Sequence, residues 1–155
     1  MKRRYTVLLA DDDKVQTAML SSQLRTRGYS VAAAYDATYT SMVVMKSPPD
    51  VVVLDIQMPG GTGRAVLGRL KANAKTMQIP IIVLSGIADR RVIEEARGLG
   101  ACDYLVKPVD IDTLEASIRR ALGLPESTPS SEPPKDTTTE PPSGAPAPPS
   151  PPVAP

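Results

Sequence analysis

The chain has 155 residues, one cysteine, no histidine and a net charge of +1 at pH 7. A charge so near zero gives no reason to expect nucleic acid or a membrane surface as a partner. No apolar run approaches the roughly 18 residues that a membrane span needs. The lack of histidine excludes histidine-based metal sites and catalytic triads, and a single cysteine excludes an internal disulfide framework. These features predict a soluble protein of a reducing, cytoplasmic compartment.

Composition divides the chain into two parts at about residue 124. Of the 17 prolines, 12 stand at or after Pro125, separated mainly by Ser, Thr, Ala and acidic residues. The front part has 17 Lys and Arg against 13 Asp and Glu, net +4, and the tail has one Lys against four acids, net −3. Because the tail can bury little apolar surface, residues 125–155 are predicted to be a disordered Pro/Ser/Thr-rich tail or linker. Residues 1–124 are predicted to form one domain.

Five apolar runs alternate with five helical patterns over residues 1–124. The predicted strands cover residues 5–10, 30–34, 50–55, 81–84 and 102–106. The predicted helices cover residues 13–27, 37–46, 62–73 and two further stretches, one from Asp89 and one from Asp110 or Asp112 to Gly123. In the first helix, Val15, Met19 and Leu24 supply apolar positions.

This alternation predicts a parallel sheet with right-handed crossovers and helices on both faces. Five βα units fit the flavodoxin-like, doubly wound α/β fold with strand order 2-1-3-4-5 better than the six-stranded dinucleotide-binding fold. In that order strands 1 and 3 are neighbours, and the topological switch point lies between them. Ligands of such sheets bind outside the carboxyl ends of the strands.

Acidic residues follow the two strands beside the switch point: Asp11 and Asp12 after strand 1, and Asp55 after strand 3. Three carboxylates at one edge repel one another, and a bound cation relieves that repulsion. Oxygen ligands without His or Cys select a hard ion, and a shallow site completed by water and a phosphoryl oxygen suits Mg²⁺. Ser85 and Lys107 add a hydroxyl and an ammonium after strands 4 and 5. Together these groups can hold a transferring phosphoryl group.

Each of these residues also has a simpler structural explanation when taken alone. The acidic run after strand 1 could only cap a helix, with Asp13 as the cap. Ser85 could be a turn residue, Lys107 a solvated surface lysine, and Tyr104 a packing residue. The coincidence of such residues at four separate strand ends favours the functional interpretation.

The ordered set Asp-Asp, Asp-x-x-Met-Pro, Ser-Gly and Lys-Pro resembles the receiver domains of two-component response regulators, with their chemotaxis-regulator-like fold, over residues 4–123. The resemblance implies that Asp55 is the phospho-acceptor. It also implies that Asp11 and Asp12 form the acidic pair that holds Mg²⁺, with Asp55 and the backbone carbonyl of Gln57 as further ligands.

The same resemblance implies roles for the loops after strands 4 and 5. Ser85, Gly86 and Lys107 bind the phosphoryl oxygens, and Ser85 acts with Tyr104 as a conformational switch. The Lys107–Pro108 bond is expected to be cis, which X-Pro bonds adopt at low cost.

Partners and activity are also implied by the resemblance. The expected phosphodonor is a sensor histidine kinase or a histidine phosphotransfer protein. A downstream protein is expected to bind helix 4, strand 5 and helix 5, and homodimer formation on phosphorylation is a further option. No direct contact with nucleic acid or a membrane is expected. The protein is then regulatory and no general enzyme, since it catalyses only its own phosphotransfer and dephosphorylation.

The sequence departs from the family pattern at several positions. Thr62 stands where Asp is usual in Met-Pro-x-x-Asp-Gly, and Val109 replaces the common aromatic residue after Lys-Pro. Gln57 and Ile87 occupy positions that, in the family, influence how readily water attacks the acyl phosphate.

Other functions remain open at this point. A phosphotransfer intermediate or a receiver-like binding module that is never phosphorylated would share the fold. An aspartate-nucleophile phosphatase of the haloacid dehalogenase type would use Asp11-x-Asp13-x-Val15, but it leaves the motif at Asp55 unexplained. An FMN binder would need a phosphate loop after strand 1, where three aspartates repel phosphate. The chain could be a stand-alone regulator or the front of a longer protein.

Overall fold

The computed structural model describes residues 3–125. The predicted Pro-rich tail therefore lies outside the described residues, apart from Pro125. The strands are β1 (Thr6–Ala10), β2 (Ser30–Ala34), β3 (Val51–Leu54), β4 (Ile81–Ser85) and β5 (Asp103–Val106). The helices are α1 (Lys14–Thr26), α2 (Ala37–Lys46), α3 (Gly63–Ala72), α4 (Arg90–Gly98) and α5 (Ile111–Leu122). Each predicted element is present, and each of its ends agrees with the prediction or differs from it by one residue.

All five strands are parallel and lie in the order β2-β1-β3-β4-β5. This confirms the predicted flavodoxin-like, doubly wound α/β fold. Burial explains the unbroken apolar runs, since every residue of β3 and β4 is buried and central parallel strands are covered on both faces. In the part of the chain that the structure describes, no helix is long and apolar enough to cross a membrane.

The two faces of the sheet pack against different helices. Successive residues of β1 alternate between two apolar clusters, as the period of a strand requires. Leu8 joins a cluster that contains Val44 of α2, residues of α3 and Ala96 of α4. Val7 joins a cluster that contains Leu24 of α1 and residues of α5. The helices therefore cover the two faces of the sheet, and the loops that follow the strands meet at its carboxyl edge.

Polar side chains cap each helix at its first turn. Each accepts a hydrogen bond from a backbone N–H two or three residues ahead, which satisfies a donor that the helix itself cannot. The N-caps are Asp13, Asp36, Thr62, Asp89 and Asp110. Of the two caps considered for the last helix, the structure therefore selects Asp110. That helix ends at Gly123, whose φ of 71° lies in the left-handed region that glycine tolerates.

The buried face of α1 does not follow the distribution of its apolar residues. Leu24 is buried as expected, but Val15 is 80% exposed and Met19 is 55% exposed. The buried positions are instead completed by the small polar residues Thr17 and Ser21. Thr17 can occupy this face because its hydroxyl lies 3.5 Å from the backbone oxygen of Asp11. Two of the three apolar positions named from the sequence, Val15 and Met19, therefore face solvent.

Candidate functional site

The pairing of β1 with β3 places two aspartates side by side at the carboxyl edge. Ala10 is in register with Leu54, and the backbone N–H of Asp55 donates to the carbonyl of Ala10 at 2.8 Å. Asp11 and Asp55 follow these residues directly, and their exposed fractions are only 7% and 4%. The structure thus brings two nearly buried carboxylates together at the predicted switch point.

Lys107 joins these two carboxylates. Its Nζ donates to Oδ2 of Asp11 at 2.7 Å and to Oδ2 of Asp55 at 2.9 Å. The backbone N–H of Lys107 donates to the carbonyl of Ser85 at 2.9 Å, which fixes the start of the loop after β5. The Lys107–Pro108 peptide bond is cis. The predicted lysine therefore lies between the predicted acceptor and one of the predicted metal ligands.

Asp12 completes an acidic group at this edge. It is exposed, yet one carboxylate oxygen from each of Asp11, Asp12 and Asp55 lies within 4.8 Å of the others. Three carboxylates against the single ammonium of Lys107 leave an excess of two negative charges when all are ionised. An oxygen-only donor set beside Lys107 fits a hard divalent cation such as Mg²⁺.

The electrostatic environment of Asp55 disfavours its charged form. Burial raises the pKa of this carboxyl above its usual value, although the hydrogen bonds from Lys107 and from the backbone N–H of Gln57 act in the opposite direction. The second of these bonds reaches Oδ1 at 2.8 Å. Burial also acts to lower the pKa of Lys107, but its two carboxylate partners outweigh burial and raise the pKa. Positive charge near Asp55 is therefore favoured, and Lys107 alone does not fully compensate its burial.

Ser85 and Gly86 lie beside the acidic group on the neighbouring strand end. Leu54 is in register with Val83, so Ser85 stands one residue beyond the level of Asp55. Ser85 is fully buried, and its Oγ accepts a hydrogen bond from the backbone N–H of Ile87 at 3.2 Å. Its hydroxyl proton is thus available to another acceptor. A Cβ on Gly86 would meet Gln57 Oε1 only at 4.0 Å, so space remains beside this glycine.

Tyr104 is linked to Ser85 through one residue. Its hydroxyl donates to the carbonyl of Ile87 at 2.7 Å, while the N–H of Ile87 donates to Ser85. The tyrosine is buried, with an exposed fraction of 7%. The switch role that the resemblance implies for Tyr104 therefore starts, in this structure, from a ring that is already buried. The Ile87 backbone is the connection that sequence reasoning had not identified.

Gly63 is a further residue of the site that the sequence interpretation missed. A Cβ at this position would lie 2.3 Å from Cα of Ile56 and 2.5 Å from the carbonyl oxygen of Asp55. Its N–H donates to the carbonyl of Ile56 at 3.1 Å. Only glycine therefore lets α3 begin against the chain that follows Asp55. The available signal was a glycine in the first turn of a helix, where its low propensity needs another reason.

The phosphatase motif is not assembled around Asp13. The carboxylate of Asp13 accepts a hydrogen bond from the N–H of Gln16 and so caps α1. Among the residues that the structure describes, the acidic group contains Asp11, Asp12 and Asp55. The geometry thus favours a site built from the acids at the ends of β1 and β3 over the Asp-x-Asp site of a phosphatase.

Residues 7–119 match the family model described as "Response regulator receiver domain". The chain is 30% identical over 116 residues to the DNA-binding dual master transcriptional regulator RpaA of Synechocystis sp., covering 75% of this chain and 48% of that protein. It is 33% identical over 122 residues to the transcriptional regulatory protein ZraR of Salmonella typhimurium, covering 79% of this chain and 27% of that protein. The chain thus spans less than half the length of these two relatives.

A solved structure shows the same architecture over nearly all of the described part of the chain. The chemotaxis response regulator CheY4 of Vibrio cholerae superposes with a TM-score of 0.73 at 28% identity, covering 77% of this chain and 100% of that chain. The family match, the strand order and the acidic edge agree with one another. The chain therefore belongs to the response regulator receiver domain family, whose members act in two-component signal transduction.

Proposed function

We propose that this chain accepts a phosphoryl group on Asp55 with the help of Mg²⁺ and signals by changing a protein-binding surface. One observation carries the proposal. The Asp55 carboxylate is nearly buried at the end of β3, shares Lys107 with Asp11, and lies within the acidic group completed by Asp12. A buried acid whose neighbours still leave a negative excess is suited to receive both a cation and a phosphoryl group.

The residues have the following roles in the transfer. A carboxylate oxygen of Asp55 forms the new O–P bond, while the P–N bond of a phosphohistidine donor breaks and its electron pair stays with the imidazole. Lys107 neutralises the phosphoryl oxygens, and the Ser85 hydroxyl and the Gly86 backbone bind them. Asp11, Asp12, Asp55 and the Gln57 carbonyl would hold Mg²⁺, which neutralises the charge that develops on the phosphoryl group.

The response passes from Ser85 toward β5. When Ser85 moves so that its hydroxyl donates to a phosphoryl oxygen, the Ile87 N–H that donates to the same Oγ moves with it, and the Ile87 carbonyl also accepts from Tyr104. The surface that changes is formed by α4, β5 and α5, where we place the downstream protein partner. A differential binding energy of a few kcal/mol is sufficient to shift such a two-state element.

The phosphodonor is a sensor histidine kinase or a histidine phosphotransfer protein. Its phosphorylated imidazole has to reach the edge of the sheet that carries Asp55. Val15 and Met19 supply exposed apolar side chains on α1, directly after the acidic loop. We place part of the donor contact there. Homodimer formation on phosphorylation is a further outcome of the same switch. Freedom from direct nucleic-acid contact stays a prediction, since DNA binding is described for RpaA.

Phosphorylation by acetyl phosphate and Mg²⁺, followed by intact mass spectrometry, tests the acceptor. Asp55→Asn should abolish the phosphorylated species. The matched control is Asp13→Asn, which changes an acid of the neighbouring loop but keeps a residue that caps helices equally well. Asp13→Asn should be phosphorylated as wild type. Phosphorylation of Asp55→Asn at the wild-type rate would overturn the assignment.

A further inference from the structure

Helix α2 carries apolar side chains on two opposite sides. Ala37, Thr40 and Val44 are buried against the rest of the domain. On the other side, Tyr39, Met42 and Met45 are 46%, 52% and 43% exposed. A helix that is apolar all round is usually covered all round, and large exposed apolar residues grouped on one face mark contact surfaces. We call Tyr39, Met42 and Met45 the outer face of α2.

The outer face is presented on an anchored helix. The N–H of Ala37 donates to the carbonyl of Pro59 at 3.0 Å, and the Thr38 hydroxyl donates to the carbonyl of Gly60 at 3.4 Å. Asp36 caps the same end by accepting from the N–H of Tyr39 at 2.7 Å. A partner would therefore meet a preorganised surface, which lowers the entropic cost of association.

The charges of α2 favour a second copy of the same helix as the partner. No charged side chain lies between Asp36, the N-cap, and Lys46 in the last turn. In an antiparallel pair related by a two-fold axis near residue 41, each Asp36 lies beside the partner's Lys46. The two helix dipoles also oppose each other favourably in this arrangement. A two-fold interface needs a surface that is complementary to itself, and α2 meets that condition.

The composition of the outer face agrees with this partner. Methionine and tyrosine are enriched in protein–protein interfaces, whereas lysine and acidic residues are depleted. Methionine also adapts its shape to the side chain that it meets. We propose that the outer face of α2 is a self-association surface on which a second copy of this chain packs antiparallel. The proposal goes beyond the phospho-acceptor function and needs no phosphoryl group.

Sedimentation equilibrium of the full chain over a concentration series tests this surface. We expect wild type to dimerise and Met42→Glu to raise the dissociation constant by about tenfold or more, since a charge would replace a methionine that the dimer covers. Met77→Glu is the matched control, because Met77 is 46% exposed but lies outside α2. A wild type that stays monomeric at every concentration would overturn the proposal. An equal effect of the two variants would do the same.

Disulfide trapping tests the antiparallel geometry separately. In a Cys102→Ser background, which removes the exposed native thiol, Met42→Cys should cross-link across the two-fold axis. Met77→Cys should not cross-link above the level set by random collision. Equal yields from the two variants would overturn the arrangement. Neither experiment requires phosphorylation. A negative result would therefore leave the assignment of Asp55 as phospho-acceptor standing, and failure of that assignment would leave the self-association proposal standing.

Discussion

Two groups of buried acids and bases lie in different parts of this domain, and they are balanced differently. At the carboxyl edge, Asp11 and Asp55 share the single ammonium of Lys107, at 2.7 and 2.9 Å. The other group is centred on Glu115 of α5, which is also nearly buried. Glu115 accepts hydrogen bonds from Arg27 at 2.7 Å and from the Tyr29 hydroxyl at 3.2 Å.

The difference lies in how completely each carboxylate is compensated. Around Glu115 the cations exceed the buried acid, because Arg119 also approaches it at 3.8 Å. The hydrogen bonds that Arg27 makes to Glu115 and Asp112 raise the pKa of the arginine. At the carboxyl edge burial instead raises the pKa of Asp55. We therefore expect the compensated group to serve the stability of the fold, and we propose that the undercompensated group receives a cation and a phosphoryl group.

Removing one acid from the carboxyl edge should produce the largest effect. We expect Asp12→Ala to lower Mg²⁺ affinity by about tenfold to a hundredfold and to lose most phosphorylation. In Mg²⁺-free buffer the same variant should be at least as stable as wild type, because one repulsive charge is gone. Mg²⁺ titration and urea unfolding measure the two effects. Unchanged Mg²⁺ binding would mean that the acidic excess is not the metal site.

Breaking the Glu115 group should have the opposite outcome. Glu115→Gln leaves Arg27 and Arg119 without their buried partner, and we expect a loss of about 1–3 kcal/mol in the free energy of unfolding. This is less than a fully buried pair costs, because Arg27 is partly exposed. The phosphorylation rate should stay at the wild-type value. A large loss of phosphorylation in the still-folded variant would contradict the division between the two groups.

The pH dependence of stability should differ in sign between two aspartates. Because burial raises the pKa of Asp55 in the folded state, ionised Asp55 costs stability at pH 7, and this cost disappears as the pH falls through the folded pKa. In Mg²⁺-free buffer, Asp55→Asn should therefore be more stable than wild type at pH 7. As the pH is lowered, this difference in stability between variant and wild type should begin to shrink before the pH reaches about 3.9, the ordinary pKa of Asp.

Asp103 is the matched comparison for Asp55. Burial acts to raise its pKa, but hydrogen bonds from Ser117, the Tyr104 backbone and Arg120 outweigh burial and lower the pKa. Ionised Asp103 thus contributes stability that is present above about pH 3.9 and is lost as the pH falls through the lower folded pKa. Asp103→Asn should be less stable than wild type at pH 7. Urea unfolding from pH 3 to pH 7 measures both differences, and the same sign for both variants would contradict the prediction.

Truncation of the tail should have the smallest effect. The backbone N–H of Leu124 donates to the carbonyl of Arg119 at 2.8 Å, and Nε of Arg119 donates to the carbonyl of Pro125 at 2.6 Å. Ending the chain after Pro125 keeps these bonds. The free energy of unfolding should then stay within about 0.5 kcal/mol of the wild-type value, and the phosphorylation rate should not change. Ending it after Gly123 removes them and should cost about 0.5–1 kcal/mol. Thermal unfolding of the two truncations compares them, and a large loss after Pro125 would show that residues 126–155 support the domain.

The positions of the site residues could be predicted because the carboxyl ends of parallel strands meet at one edge. Asp11, Asp55 and Lys107 each follow a strand and Ser85 ends one, so the strand order was enough to bring them to the same edge. The phase of α1 could not be predicted in the same way. Hydrophobicity alone did not show which face of α1 is inward, because the apolar Met19 is 55% exposed whereas the small polar residues Thr17 and Ser21 are buried.

Sequence by itself determined the strand order, the caps of α1, α3 and α4, and the set of chemical groups at the carboxyl edge, because these follow from local patterns and from topology. Tertiary structure decided what depends on distances between separate elements. These are the sharing of Lys107 by two acids, the close approach that restricts position 63 to glycine, and the link from Ser85 through Ile87 to Tyr104. It also decided which apolar residues of α1 and α2 remain exposed. The physical reason is that packing selects one face of a helix by shape and volume, and hydropathy does not encode either.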